Sequence, residues 1–112
     1  MSDNPANIWP LDDARPGEVV VIARWSPRAG ESETIASMLP ELIRDSRAEP
    51  GCLGYQIYRP DGAADGDLVL VEHYADQAAV DAHRDSAHFR DLVLKRIVPL
   101  LADRHAVVTT VQ

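Results

Sequence analysis

Between Glu49 and Phe89 the chain reads EPGCLGYQIYRP, then a short polar turn, then LVLVEHYAD, then QAAVDAHRDSAHF, an order that leaves little freedom in folding. Pro50-Gly51 is a stop that opens a strand over Cys52 to Arg59. DGAADGD is a polar turn too long for a two-residue hairpin loop. It returns a second strand, Asp67 to Tyr74. Asp76 is placed to cap a short helix, Gln77 to Arg84, and Ser86 to cap the next. The segment carries two histidines, His83 and His88, followed by Phe89, and so puts titratable groups beside apolar surface.

The flanks complete the pattern. The β-branched run VVVI predicts a first strand over Glu18 to Trp25. Pro27 to Gly30 turns the chain into a helix whose Ile35, Met38, Leu39, Leu42 and Ile43 fall on one stripe. Pro40 lies inside that stripe and predicts a kink near Ala36 to Leu39, or the start of a second helical piece. Phe89, Leu92, Val93, Ile97 and Leu100 keep helical spacing, and Ala106 to Val111 reads as the last strand. The order is βαββαβ, an α+β ferredoxin-like fold with an antiparallel four-stranded sheet and its helices on one face.

That topology places the first and third strands in the centre, and these are the two with continuous apolar runs, Val19–Ala23 and Leu68–Val71. Strands apolar on both sides need cover on both sides. The helices of one chain cover one face, so the expected partner for the other is a second copy, giving a homodimer built sheet against sheet. Residues 1–17, interrupted by Pro5, Pro10 and Pro16, read as an N-terminal arm to a single domain over 18–112. Within the arm, Ile8, Trp9 and Leu11 are suited to docking on the body or on a neighbouring subunit.

Composition acts by exclusion. The apolar runs are far too short to span a membrane, and the acidic, proline-bearing start does not read as a secretory signal. The lone Cys52 has no intrachain disulfide partner, which fits a cytoplasmic protein. A net charge of −7, from 18 acidic and 11 basic residues, repels phosphate backbones and argues against a nucleic-acid partner.

Each candidate for chemistry has a structural alternative. Alternation puts Glu72 on the face of Leu68, Leu70 and Tyr74, where a carboxylate must be hydrogen-bonded or shifted in pKa. It reads as a general base or substrate acceptor, or as a structural carboxylate paired with Arg24, Arg59 or a backbone amide. Imidazole in general titrates near neutral pH, so a histidine facing an apolar cleft can take a proton from a phenol or enol, which makes His83 and His88 candidates. Five residues apart on one continuous helix they would diverge by about 140°, so they face one cavity only if the helix breaks at Ser86. The same spacing makes them a poor chelate, and no metal site is expected. Cys52 reads as a small core residue rather than an activated thiolate. No Gly-x-Ser-x-Gly elbow, phosphate loop or dinucleotide fingerprint occurs, so no flavin, nicotinamide or ATP cofactor is expected. Trp25, Tyr55, Tyr58, Tyr74 and Phe89 are suited to lining a flat pocket for a ring substrate, or simply to core packing.

PGCLGYQIYR at 50–59, LVLVEHYAD at 68–76, AVDAHRDSAHF at 79–89 and the PRAG turn at 27–30 together resemble the antibiotic biosynthesis monooxygenase domain family, of the dimeric α+β barrel group. The resemblance implies a cofactor-independent oxygenase that uses O2 on a quinol or polyphenolic aromatic, with no metal or flavin. It implies His88 or His83 as the base and Glu72 as the group that orients it or binds a hydroxyl, with Trp25, Tyr74, Phe89 and Tyr55 as substrate-binding walls. Haem-degrading relatives look to use an Asn and a His where this chain has Ala23 and Val93, and a Trp where it has His83. Two alternatives stay open: an isomerase or lyase of a small oxygenated metabolite, and a non-catalytic dimeric ligand-binding module.

Overall fold

The two apolar runs lie side by side in the middle of one sheet. A computed structural model describes residues 13–62 and 66–112. The first twelve residues of the expected arm, Ile8, Trp9 and Leu11 included, and residues 63–65 of the polar turn lie outside the described residues. The elements run β1 (Val19–Pro27), α1 (Ser32–Arg47), β2 (Cys52–Tyr58), β3 (Leu68–Tyr74), α2 (Gln77–Asp85), α3 (Phe89–Ile97), a single 3-10 turn (Val98–Leu100) and β4 (Leu101–Thr110). The sheet order is β2-β3-β1-β4, with every neighbouring pair antiparallel. This is the ferredoxin-like α+β fold.

Register sorts the side chains. Opposite one another stand Val21 and Glu72, Ala23 and Leu70, and Trp25 and Leu68, and these six are buried toward the helices. Ile35, Met38 and Leu42 of α1 and Leu92, Val93 and Ile97 of α3 close the same core. On the opposite face Ile22 and Val107 are paired across β1 and β4, and they are 42% and 47% exposed. No helix among the described residues is long and apolar enough to cross a membrane.

Three local expectations need correction. α1 runs through Pro40 as one helix rather than two pieces. Pro40 and Ala36 are both on the exposed side, where water can serve the carbonyl that proline leaves without an amide partner. β4 starts at Leu101, not Ala106, because pairing with β1 continues as far as Pro27 opposite Leu101. An edge strand can hold polar residues such as Asp103 and Arg104 without the apolar alternation that marks a covered one. Finally, α3 is a π-helix, with the Val98 amide bonded to the Val93 carbonyl five residues back. Leu92, Val93 and Ile97 are buried along it, and their spacing alone does not distinguish it from an ordinary helix.

Candidate active site

A glycine sets up the site. The Ala75 amide donates to the Gly51 carbonyl at 2.9 Å, holding the start of β2 against the start of α2. A Cβ on Gly51 would fall 2.4 Å from the Ala79 Cβ, so only glycine permits this approach. One turn further along α2, on the same side as Ala79, is His83. Glu49, two residues before Gly51, therefore meets the His83 ring: its Oε2 lies 2.7 Å from His83 Nδ1.

His88 comes to the same oxygen, with its Nε2 at 2.5 Å. The chain turns the two histidines together by breaking α2 at Ser86, whose ψ of 154° is extended. Ser86 Oγ donates to the His83 carbonyl at 2.6 Å and accepts from the Phe89 amide at 3.2 Å, ending one helix and starting the next. The Asp76 carboxylate caps the front of α2, accepting from the Ala79 amide at 2.8 Å. His83 is enclosed by rings, with the centroids of Phe89, Tyr74, His88 and Tyr55 at 5.2, 5.3, 5.7 and 5.8 Å.

Proton bookkeeping follows from these contacts. A carboxylate only accepts, so the Glu49 contacts place hydrogen on His83 Nδ1 and on His88 Nε2. In the neutral His83 ring the lone pair is then on Nε2. That nitrogen is 3.8 Å from Glu72 Oε1, too far for a hydrogen bond.

Glu72 is buried, as alternation requires. Its partner is neither Arg24 nor Arg59. Arg24 lies on the other face of the sheet and pairs with Asp67 at 2.8 Å, whereas the Tyr74 hydroxyl donates to Glu72 Oε1 at 2.6 Å. Burial pushes the Glu72 carboxyl above its ordinary range, partly opposed by the Tyr74 hydrogen bond and the charge of His83. Burial, with the Glu72 charge behind it, also pushes the Tyr74 and Tyr55 phenols well up.

A cavity of about 270 Å³ opens between the inner sheet face and α2 and α3. Of the residues singled out in the sequence, Trp25, Glu72, His83 and Phe89 line it. Tyr55 and Tyr74 do not. Each is buried in the packing behind Glu72 and His83, away from the cavity wall where the sequence reading put them. His88 lines a separate depression with Glu41, Asp45 and Arg96, and is linked to His83 through Glu49. Four polar residues not assigned to the site from the sequence belong to it: Glu49, Arg84, Arg104 and His105. The signals available were a glutamate next to the close-packing Gly51, and an arginine next to a candidate histidine. Cys52 is not activated, since burial pushes its thiol up to about 11.

Glu49, His83 and His88 present three donor atoms within 4.8 Å of one another. The expectation of no chelate presupposed a continuous helix, and the break at Ser86 brings both rings to one carboxylate oxygen. At 2.5 and 2.7 Å the two contacts have hydrogen-bond lengths.

Residues 18–94 match the sequence model of the family described as antibiotic biosynthesis monooxygenase. The chain belongs to that family. Among its relatives, the Mycobacterium tuberculosis protein named "Putative monooxygenase Rv0793" is 41% identical over 71 residues, 63% of this chain and 68% of that protein. "Putative monooxygenase YcnE" of Bacillus subtilis is 30% identical over 77 residues, 69% and 80% of the two chains. The solved structure of Rv0793 superposes with a TM-score of 0.77 at 32% identity, covering 85% of this chain and 95% of that one. Glu49, Glu72, His83, Arg84, His88 and Phe89 all lie within the matched family segment, whereas Arg104 lies beyond it.

Proposed function

We propose that this family member is a cofactor-independent monooxygenase that oxidises a quinol or polyphenolic aromatic with O2. One observation carries the reading: His83 is held at Nδ1 by Glu49 while its Nε2 stands beside Glu72, in a cavity walled by Trp25 and Phe89. A phenolic hydroxyl seated there gives its proton to Nε2, and the Glu49 carboxylate steadies the imidazolium that forms. Glu72 takes a hydrogen bond from, or gives one to, a second hydroxyl. The phenolate passes its electrons to O2. A C–O bond forms at a ring carbon and the O–O bond breaks; one oxygen stays on the ring and the other leaves as water. A dihydroxyarene and O2 thus become a hydroxyquinone and water, with all four electrons supplied by the substrate. Trp25 and Phe89 on the cavity wall orient the ring. His88 acts through Glu49 rather than on the substrate.

The reading includes a homodimer joined across the outer sheet face, supported by the exposed pair Ile22 and Val107. Light scattering should give twice the monomer mass, and Ile22→Asp should shift it to one chain. It also places the domain, over 18–112, in the cytoplasm, where Cys52 stays reduced.

Glu72 and His83 on one cavity would equally serve an isomerase that moves a proton on a small oxygenated metabolite. Oxygen consumption separates the two. The protein, freed of metal and flavin, should consume one O2 per molecule of at least one compound in a panel of quinols. His83→Ala should slow this by roughly 100-fold or more. No uptake across the panel, or an unaffected His83→Ala rate, would sink the oxygenase.

A further inference from the structure

We infer that the cavity selects an anionic ring, a dihydroxyarene bearing a carboxylate, and that Arg84 and Arg104 hold that carboxylate. The inference rests on the oxygenase reading for the role of the ring hydroxyls, but the anion site stands on its own observations. In a chain of net charge −7 the cavity wall carries two guanidinium groups, Arg84 and Arg104, against one carboxyl, Glu72. The depression around His88 has the opposite balance, with Glu41, Asp45 and Asp91 against Arg96. Positive charge is therefore a local property of this cavity.

Both arginines are exposed, and neither enters an ion pair among the described residues, unlike Arg24, Arg44 and Arg90. They come from different elements, the last turn of α2 and the strand β4, and meet at one cavity. Guanidinium presents a planar fork of donors that matches a carboxylate in two-point contact. The position on α2 is informative. Arg84 adjoins His83, so an anion held by Arg84 would set a ring beside the His83 Nε2 with the ring faces against Trp25 and Phe89. A volume of about 270 Å³ has room for a substituted ring. The guanidinium charges also favour the phenolate over the phenol, so the groups that recognise the substrate would help its deprotonation.

Binding of 2,5-dihydroxybenzoate and of hydroquinone, measured anaerobically by calorimetry, tests this without turnover. The benzoate should bind at least tenfold more tightly than hydroquinone, with an affinity that falls as salt rises. Arg84→Gln and Arg104→Gln should each weaken the benzoate about tenfold and leave hydroquinone within about threefold. Circular dichroism would check that both variants, altered at exposed positions, keep the native fold. Equal affinities for the two compounds, no binding of either, or an unchanged benzoate affinity in the folded double variant would overturn the inference. Selective benzoate binding with no oxygen uptake on admitting air would support the anion site and count against the oxygenase reading.

Discussion

His73 and His83 are both buried imidazoles held by a glutamate, His73 Nε2 by Glu18 at 2.8 Å and His83 Nδ1 by Glu49 at 2.7 Å. The side chains are 6% and 4% exposed and their carboxylates 16% and 15%, so chemistry and burial are nearly matched. Their surroundings are not. His73 stands on the outer face of the sheet, opposite Val20 in β1 and Gly54 in β2. His83 stands on α2 and lines the cavity, with its second nitrogen toward Glu72. A histidine–carboxylate pair is thus a structural unit that occurs twice in this chain, and the outlook of the free nitrogen distinguishes a candidate base from a fastening.

The sharpest way to break this comparison is to remove each imidazole in turn. With any quinol the protein turns over, His83→Ala is expected to lose about 100- to 10,000-fold in kcat/KM, whereas His73→Ala should keep the rate within about twofold and lower only stability. Equal losses would erase the distinction between the two pairs. A smaller effect sharpens it: Glu49→Gln keeps the shape but withdraws the charge that steadies the imidazolium, and should cost about 10- to 100-fold in kcat. Glu18→Gln should cost nothing in kcat. Because Glu49 also holds His88, His88→Ala is expected to fall between these, and a full loss there would make His88 the base.

The two pairs also show what could be read from the chain. The apolar runs at Val19–Ala23 and Leu68–Val71 identified the central strands, because burial on two faces leaves a continuous pattern. Asp76 and Ser86 were legible as caps since a cap acts within three residues. Glu72 was placed on the buried face by alternation alone. Glu49 was not legible as a site residue. It is 34 residues from His83, and the contact is created by Gly51 packing on Ala79, an event between segments. In sequence Glu49-Pro50-Gly51 shows only its local meaning, the end of a helix. Arg104 was missed for a related reason: β4 begins in polar residues whose strand conformation is imposed by pairing with β1.

The smallest expected effect concerns the carboxyl that only one of the two histidines meets. Glu18 is lowered, chiefly by the Arg15 amide that donates to it at 2.8 Å, and then by His73. Glu72 is raised by burial above its ordinary 4.5. The folded protein therefore binds the Glu72 proton more tightly than the unfolded chain does. Its contribution to stability is greatest below about 4.5 and declines as pH rises to the raised value, then levels off. Glu72→Gln has no such proton to lose. Its urea midpoint should lack the Glu72 part of that decline, while groups outside the cavity titrate alike in both proteins. Parallel pH profiles for the two would mean that Tyr74 and His83 stabilise the charged Glu72 enough to cancel its burial, and Glu72 would then meet a substrate hydroxyl as an acceptor and not as a donor.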